Sequence, residues 1–451
     1  MSKKKKQIDL TIFEDREALC PHFGICGGCT YQKISYEKQL EMKANEVKAL
    51  LSNVYDDFEF EGILPSPCER EYRNKMEFTF GDECKDGPFA LGLHQKGSFM
   101  NVVNITDCIL VHDDLNKIRN SVHDYFDEFF KKGLVTFRNN KTQEGWLRHL
   151  LVRRAAKTGE ILIALVASSD KPVDFENIIN GYKEKLLELN LEGKIAGILY
   201  ITNDALSDIV RPDKVEILYG QDYINEEVLG LKFKISAFSF FQTNTLGAEI
   251  LYSKTREYAK DAFGTLFDLY SGTGTIAQLM ADVVDNVVGV EIVSEAVEAA
   301  KENAKLNNIS NASFIAGDVL KVLGEAGELA GHFPDSLILD PPREGINPKA
   351  LGKILAFGVE NIVYVSCKPT SLAKDLEAFK FAGYKLKKAC CVDMFPQTGH
   401  VETVVELRGE NVDSYIEVNL ETKNLVSKGT VLIDTQRITQ IKKVVSENRP
   451  R

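Results

Sequence analysis

The sequence predicts an α/β protein: a doubly wound parallel sheet in the C-terminal half, preceded by a β-rich α+β domain and a short cysteine-bearing segment. Strand–helix alternation from about residue 236 predicts the sheet. Short alternating apolar runs over residues 61–235 predict the β-rich domain, and a cluster of cysteines at 20, 26 and 29 marks the leading segment.

A chain of 451 residues has room for two or three domains. With 44% hydrophobic and 27% charged residues it has a globular composition, able to bury ordinary cores without disulfide staples. No apolar run approaches the roughly 18 residues of a membrane span. MSKKKKQIDL lacks the apolar stretch of an export signal, so a cytoplasmic protein is expected. A formal charge of −11 argues against non-specific coating of nucleic acid but leaves room for local basic faces. The candidates are Lys3 to Lys6, then Arg70, Arg73 and Lys75, then Arg148, Arg153 and Arg154, each read singly as solvated surface. The nine cysteines are odd in number and come without an export signal. Metal ligation or catalysis is therefore a better reading than a disulfide framework.

Residues 1–60 hold the cysteine cluster and then a charged helical pattern, YEKQLEMKANEVKALL, from Tyr36 to Leu51. Residues 61–235 carry MEFTF, ILIALV and GILYIT, separated by Gly, Asn and Asp, a texture of antiparallel strands. Over residues 236–408, TLFDLY, NVVGVEI, SLILD, NIVYVS and VETVVEL read as strands. IAQLMADVV and SEAVEAAKENAKLN between them read as helices, the second with Ser294 placed to cap it. Residues 409–451 form an extension with strand-like YIEVNL and TVLID, whose role the sequence does not disclose.

DLYSGTGT follows an apolar strand and opens a helix, and Gly272 and Gly274 let the backbone turn tightly against a ligand. Glu291 closes the next strand, 19 residues after Gly272, where an acid can accept both ribose hydroxyls of an adenosine-type cofactor. The third glycine of the dinucleotide fingerprint is missing. A larger residue there crowds a pyrophosphate but not an amino-acid-bearing sulfonium, which favours S-adenosylmethionine over a nicotinamide. The bland alternative is that Glu291 is a solvated strand end.

Two later strands end in Asp340-Pro341-Pro342-Arg343 and Ser366-Cys367-Lys368-Pro369. In a parallel sheet both tips face the ligand crevice. The prolines stiffen a loop there, and Asp340 can contact the cofactor. Cys367 sits beside Lys368, whose charge favours the nucleophilic thiolate. A lone cysteine is more often a small buried hydrophobe, the reading given to Cys390 and Cys391. FPQTGHVE then supplies His400 and Glu402, either of which can remove a proton from a substrate.

FSFFQTN, DLYSGTGT, GVE, DPPREG, YVSCKPTSLAKDL and FPQTGHVETV, in that order over residues 236–407, resemble the RNA uracil-5 methyltransferase family. The resemblance implies a Rossmann-like class I methyltransferase domain, with Cys367 as nucleophile and Glu402 as general base. It places Gln242, Tyr270, Glu291 and Asp340 around S-adenosylmethionine. Cys20, Cys26 and Cys29, with Cys108 in NITDCILVH, resemble the iron–sulfur set of the ribosomal RNA branch of the family. That implies a [4Fe–4S] cluster and 23S ribosomal RNA as the partner; no membrane association is expected, and no protein partner is implied. On spacing alone zinc fits four cysteines equally. The family's YRNK stands at Tyr72 to Lys75, in the domain expected to contact RNA. Many relatives begin with a small RNA-binding barrel, TRAM, for which the residues before Cys20 are too few, and the stretch after Leu407 is outside the resemblance. The competing readings are a tRNA uracil-5 methyltransferase, an adenine amino-group methyltransferase and a non-catalytic metal-binding RNA adaptor. An adenine enzyme wants an aromatic residue where Arg343 stands and has no use for Cys367. A degenerate adaptor would have lost the nucleophile or the cofactor acid.

Overall fold

A computed structural model describes residues 9–139, 141–206, 212–324 and 326–409. Lys3 to Lys6 and the extension beyond Gly409 lie outside the described residues.

The leading segment folds into one long helix, α1 (Tyr36–Ser52), and strand β1 (Glu59–Leu64). Next come β2 (Lys75–Asp82), β3 (Phe89–His94), β4 (Val102–Asn104), α2 (Asp113–Lys131), β5 (Leu147–Arg154), β6 (Glu160–Ala167), α3 (Phe175–Leu187), β7 (Lys194–Thr202) and β8 (Lys214–Gly220). The strands from β2 to β8 form a seven-stranded sheet in the order β4-β3-β2-β5-β6-β7-β8. A hairpin of β9 (Tyr223–Val228) and β10 (Leu231–Ser236) leads to α4 (Thr245–Tyr258).

The rest alternates: β11 (Thr265–Leu269), α5 (Thr275–Met280), β12 (Asn286–Glu291), α6 (Ser294–Leu306), β13 (Ala312–Ala316), α7 (Val319–Val322) and β14 (Ser336–Leu339). It finishes with α8 (Pro348–Ala356), β15 (Asn361–Ser366), α9 (Pro369–Phe381), β16 (Tyr384–Val392) and β17 (Glu402–Gly409). These strands and β1 form an eight-stranded sheet ordered β1-β16-β17-β15-β14-β11-β12-β13. This is the Rossmann-like methyltransferase architecture the sequence predicts. Its strands are parallel except β17, which runs against both β15 and β16. The connection from β16 to β17 contains no helix, so the chain has to reverse rather than cross over.

The local chemistry explains the element ends. Asn244 caps α4 by accepting from the Gly247 N–H at 2.9 Å, and Pro348 and Pro369 open α8 and α9, where a missing N–H costs nothing. Ser294 does not cap α6, because it is the first helical residue. The Glu291 carboxylate takes the Val293 N–H at 2.9 Å instead.

Strand β6 is buried on both faces, which is why ILIALVA reads as an unbroken apolar run. Ile161, Ile163 and Leu165 pack on the α2 and α3 side, while Leu162, Ala164 and Val166 join a core with Leu251 of α4 and Met280 of α5. That shared core seats the seven-stranded layer against the methyltransferase sheet. Within the layer β6 and β7 are parallel, with α3 crossing between them, so the expected antiparallel texture has one exception.

Two further features depart from the sequence reading. Glu59–Leu64 straddles the boundary expected after residue 60 and runs as an edge strand parallel to β16. Arg148 and Arg153 are not surface charges: they are 4% and 2% exposed. Arg148 Nη1 donates to the carbonyls of Asn203 and Ala205, and Arg153 to those of Ala237 and Ser239. Loop carbonyls with no strand partner converge on each guanidinium, so these arginines tie down chain turns. Arg154 pairs with Asp114 at 2.9 Å.

Candidate functional site

The switch point of the eight-stranded sheet lies between β11 and β14, where the winding reverses and a ligand crevice opens at the strand tips. The registers place the candidate residues along that row. Leu269 pairs with both Val290 and Leu339, so the next residues out, Tyr270, Glu291 and Asp340, stand side by side. Ser366 pairs with Thr403 at the end of the antiparallel ladder of β15 and β17, so Cys367, one residue past that pair, and Glu402, one residue before it, come off the two strand tips on the same side. Cys367 is half-buried and Glu402 is 4% exposed.

The electrostatics fit that proximity. Burial, then the charges of Glu402 and Asp340, push the Cys367 thiol up to about 11, while Arg343 opposes them with its charge and a hydrogen bond. Burial raises Asp340 to about 7. Burial and the Asp340 charge raise Glu402 to about 8, and the same two causes raise Asp268 to about 8. The crevice thus holds three carboxyls that become anions only against resistance. A cationic ligand relieves that resistance. The sequence assigned the thiolate-favouring charge to Lys368. Lys368 instead begins the α9 turn, its N–H donating to Ser366 Oγ at 3.2 Å, and the cation acting on the thiol is Arg343, 24 residues earlier in the chain. No local pattern signals that approach. Arg343 Nη2 also lies 3.0 Å from His400 Nδ1, and burial followed by this guanidinium lowers the His400 pKa.

At the glycine turn, Gly272 and Gly274 have φ values of 54° and 71°, the left-handed region where a Cβ is strained. Tyr270 adopts φ 71° without being glycine, a strained backbone of the kind found at ligand clamps. Glu291 accepts from the Gly272 N–H at 3.1 Å, which fixes the turn while each carboxylate oxygen retains a free lone pair. Asp268 is fully buried; its Oδ2 accepts from Ala277 N at 3.0 Å and its Oδ1 has no partner. That orphaned oxygen, in a crevice favouring a cation, fits the ammonium and sulfonium of S-adenosylmethionine. Gln242 is half-buried beside Tyr252. Phe240, from the same FSFFQTN stretch, is 68% exposed beside Gly272, an open ring that the sequence reading passed over. Two members of YRNK act as struts: Asn74 Nδ2 donates to the Gln242 carbonyl at 3.0 Å and Tyr72 OH to the Pro396 carbonyl at 3.0 Å.

Cys20, Cys26, Cys29 and Cys108 are 7–9% exposed, and their charges act on one another across one pocket. Burial drives Cys29 up to about 12 and Cys108 to about 11. Among the described residues no three His, Cys, Asp or Glu side chains are arranged to grip a metal ion. No helix among them is long and apolar enough to cross a membrane.

Comparison with known proteins agrees with this geometry. The tRNA (Uracil-5-)-methyltransferase family profile matches residues 199–410. An uncharacterized RNA methyltransferase of Clostridium acetobutylicum is 50% identical over 407 residues, covering 90% of this chain and 87% of that protein. Another, from Caldanaerobacter subterraneus, is 50% identical over 390 residues, covering 86% and 84%. The crystal structure of Pyrococcus abyssi tRNA (uracil-54, C5)-methyltransferase with S-adenosyl-L-homocysteine superposes with a TM-score of 0.66 at 28% identity, covering 85% and 86% of the two chains. With a cation-seeking crevice at the switch point and relatives matched over most of its length, the chain belongs to the RNA uracil-5 methyltransferase family and is an S-adenosylmethionine-dependent RNA methyltransferase.

Proposed function

We propose that this protein methylates carbon 5 of a uridine in 23S ribosomal RNA through a covalent adduct on Cys367, with Glu402 as the base. The observation that carries the reading is the meeting of Cys367 and Glu402 just past the last pair of the β15–β17 ladder, close enough that the Glu402 and Asp340 charges act on the thiol. Gln242, Tyr270, Glu291 and Asp340 hold the methyl donor, which supplies an electrophilic methyl group on a sulfonium.

Carbon 5 of uracil is a weak nucleophile. The Cys367 thiolate adds to carbon 6, forming an S–C bond and moving the ring π pair onto carbon 5. Carbon 5 takes the methyl group as the sulfonium C–S bond breaks. The Glu402 carboxylate then removes the carbon 5 proton, the ring double bond re-forms, and the S–C bond breaks to regenerate the thiolate. In the free protein the thiol is protonated at neutral pH. Once the carboxylate field is compensated by a cation in the crevice, Arg343 favours the thiolate. Of the two candidate bases, Glu402 is the one whose charge acts on the sulfur, while His400 lies against Arg343. The uracil has to leave its stack to reach the strand tips, so the target is an unpaired or opened segment, held by the central domain of residues 61–235.

A [4Fe–4S] cluster with Cys20, Cys26, Cys29 and Cys108 as ligands, or zinc as the alternative, is supported by the burial of all four thiols and by their charges reaching one another, although the side chains are not arranged around a metal in this structure. Bound there, such a group cross-links the leading segment to the Cys108 loop. Their likeness to the ribosomal branch favours 23S ribosomal RNA, whereas the named activity of the Pyrococcus abyssi structure favours tRNA. Incubation of the protein with a methyl-labelled donor and either RNA, followed by nucleoside digestion, decides between them. Label in 5-methyluridine from 23S ribosomal RNA is expected. Label only in tRNA reverses the substrate assignment, and label in a methyladenosine overturns the chemistry.

A further inference from the structure

The loop between β16 and β17 delivers Glu402, yet its anchors come from the other end of the chain. Gln397 sits in the middle of this loop, fully buried, at φ 68°. A non-glycine residue stays in the left-handed region only where its surroundings over-determine it. Here they do. The Gln397 carbonyl accepts from Thr30 N at 2.9 Å and Tyr31 N at 3.0 Å, the two residues that directly follow Cys29. Gln397 N donates to Gln39 Oε1 at 2.9 Å, and Gln39 Nε2 donates back to Gln397 Oε1 at 3.0 Å, a reciprocal amide pair between α1 and the loop. Arg16 Nη2 donates to the same Oε1 at 3.1 Å. Gln39 Nε2 also donates to the Tyr31 and Ile34 carbonyls, which ties the pair to the turn leaving the thiol pocket. Tyr72, within reach of the Cys29 and Cys108 charges, holds the neighbouring Pro396 carbonyl.

We propose that the cysteine-bearing segment is a positioning device for the base. The Gln39–Gln397 amide pair transmits the set of the thiol pocket to Glu402, so the pocket governs the proton-removal step and leaves methyl-donor binding alone. Gln39 and Gln397 are positioning residues; neither touches the reacting atoms. The proposal rests on Glu402 being the base and extends it to what aims that carboxylate. Gln397 Nε2 also donates to Glu69 Oε2 at 3.4 Å, so six hydrogen bonds meet on one strained residue, more than packing two segments together requires, and that residue lies five positions before Glu402.

The test uses the full-length protein with its metal content measured. Gln39→Leu keeps bulk at a buried position while deleting the amide; Gln397→Gly keeps the left-handed backbone while deleting the side chain, and serves if the first variant fails to fold. The expected result is turnover lowered at least tenfold, with metal content, S-adenosylhomocysteine affinity and KM for RNA within twofold of wild type. A covalent protein–RNA adduct should also accumulate on a denaturing gel, because the methylated intermediate waits for its base. Glu402→Gln is run in parallel. If Glu402→Gln traps the adduct and both glutamine variants do not, the positioning role is overturned while the base assignment stands. If Glu402→Gln traps nothing, the base assignment falls and the proposal with it. A loss of turnover that tracks lost cofactor affinity also overturns it.

Discussion

Replacing Lys43 with methionine tests whether α1 braces the loop between β16 and β17. Lys43 Nζ lies 2.7 Å from Asp393 Oδ1 and 3.2 Å from the Phe395 carbonyl, with side-chain exposures of 2% for Lys43 and 0% for Asp393. Burial lowers the Lys43 pKa, and the Asp393 charge opposes that. Methionine keeps the methylene stem but strands a buried carboxylate, and removing one partner of such a pair costs about 3–5 kcal/mol. No discount for solvent screening applies at these exposures. At about 2–4 °C per kcal/mol for a domain of this size, the melting temperature should fall by about 6–20 °C. The double variant Lys43→Met/Asp393→Asn should recover most of that loss, because the asparagine amide oxygen remains an acceptor for the Phe395 N–H that Asp393 now takes at 3.1 Å. Differential scanning calorimetry of wild type, both single variants and the double variant closes the cycle. A Lys43→Met cost below about 1 kcal/mol, typical of an exposed pair, would refute the reasoning. So would a double variant no better than the single one.

The crevice can be perturbed in several further ways. Arg343→Gln removes the cation that lowers the Cys367 pKa, so iodoacetamide should alkylate Cys367 more slowly at pH 8.5. Each unit of pKa rise cuts the thiolate about tenfold, and an unchanged rate would return the role to Lys368. As the proposed base, Glu402 would act as an anion, and burial raises it to about 8, so kcat/KM, which reports the free enzyme, should climb as pH rises from 6 to 8.5. Because folding raises Asp268, Asp340 and Glu402, their contribution to stability is present below the normal carboxylate range and is lost as pH rises through 7 to 8. The ligand-free melting temperature should therefore decline over that window, and S-adenosylmethionine should raise it more than S-adenosylhomocysteine, which lacks the sulfonium charge. Finally, Gly274→Ala places a Cβ 2.5 Å from Phe314 Cε1 at φ 71°, which should cost about 1–3 kcal/mol and weaken S-adenosylhomocysteine binding, readable by calorimetry.

The strand tips were legible because their residues are odd for their place. Asp340 before two prolines, and Cys367 between a serine and Lys-Pro, make poor sense as core or ladder, and a parallel sheet puts both at the ligand. The glycine turn carried its own backbone requirement. What stayed hidden is non-local. Glu59–Leu64 has no sequence mark for joining a sheet whose next strand ends at Val392. Arg148 and Arg153 read as surface because the carbonyls that satisfy them come from loops more than 50 residues away. Arg343 reads as an interruption after DPP until the fold brings its guanidinium to the thiol. Gln39 and Gln397 are ordinary glutamines, 358 residues apart, until both are found buried and facing each other.

The central claim concerns a bond between Cys367 and the pyrimidine ring, and RNA carrying 5-fluorouridine tests it most directly. Fluorine cannot leave carbon 5 as a proton does, so the reaction should stop after methyl transfer with the ring still on the sulfur. With S-adenosylmethionine present, the wild-type protein should form a denaturant-stable RNA complex whose nucleotide maps by mass spectrometry to the peptide containing Cys367. No such complex, or one mapped to another residue, would contradict the account.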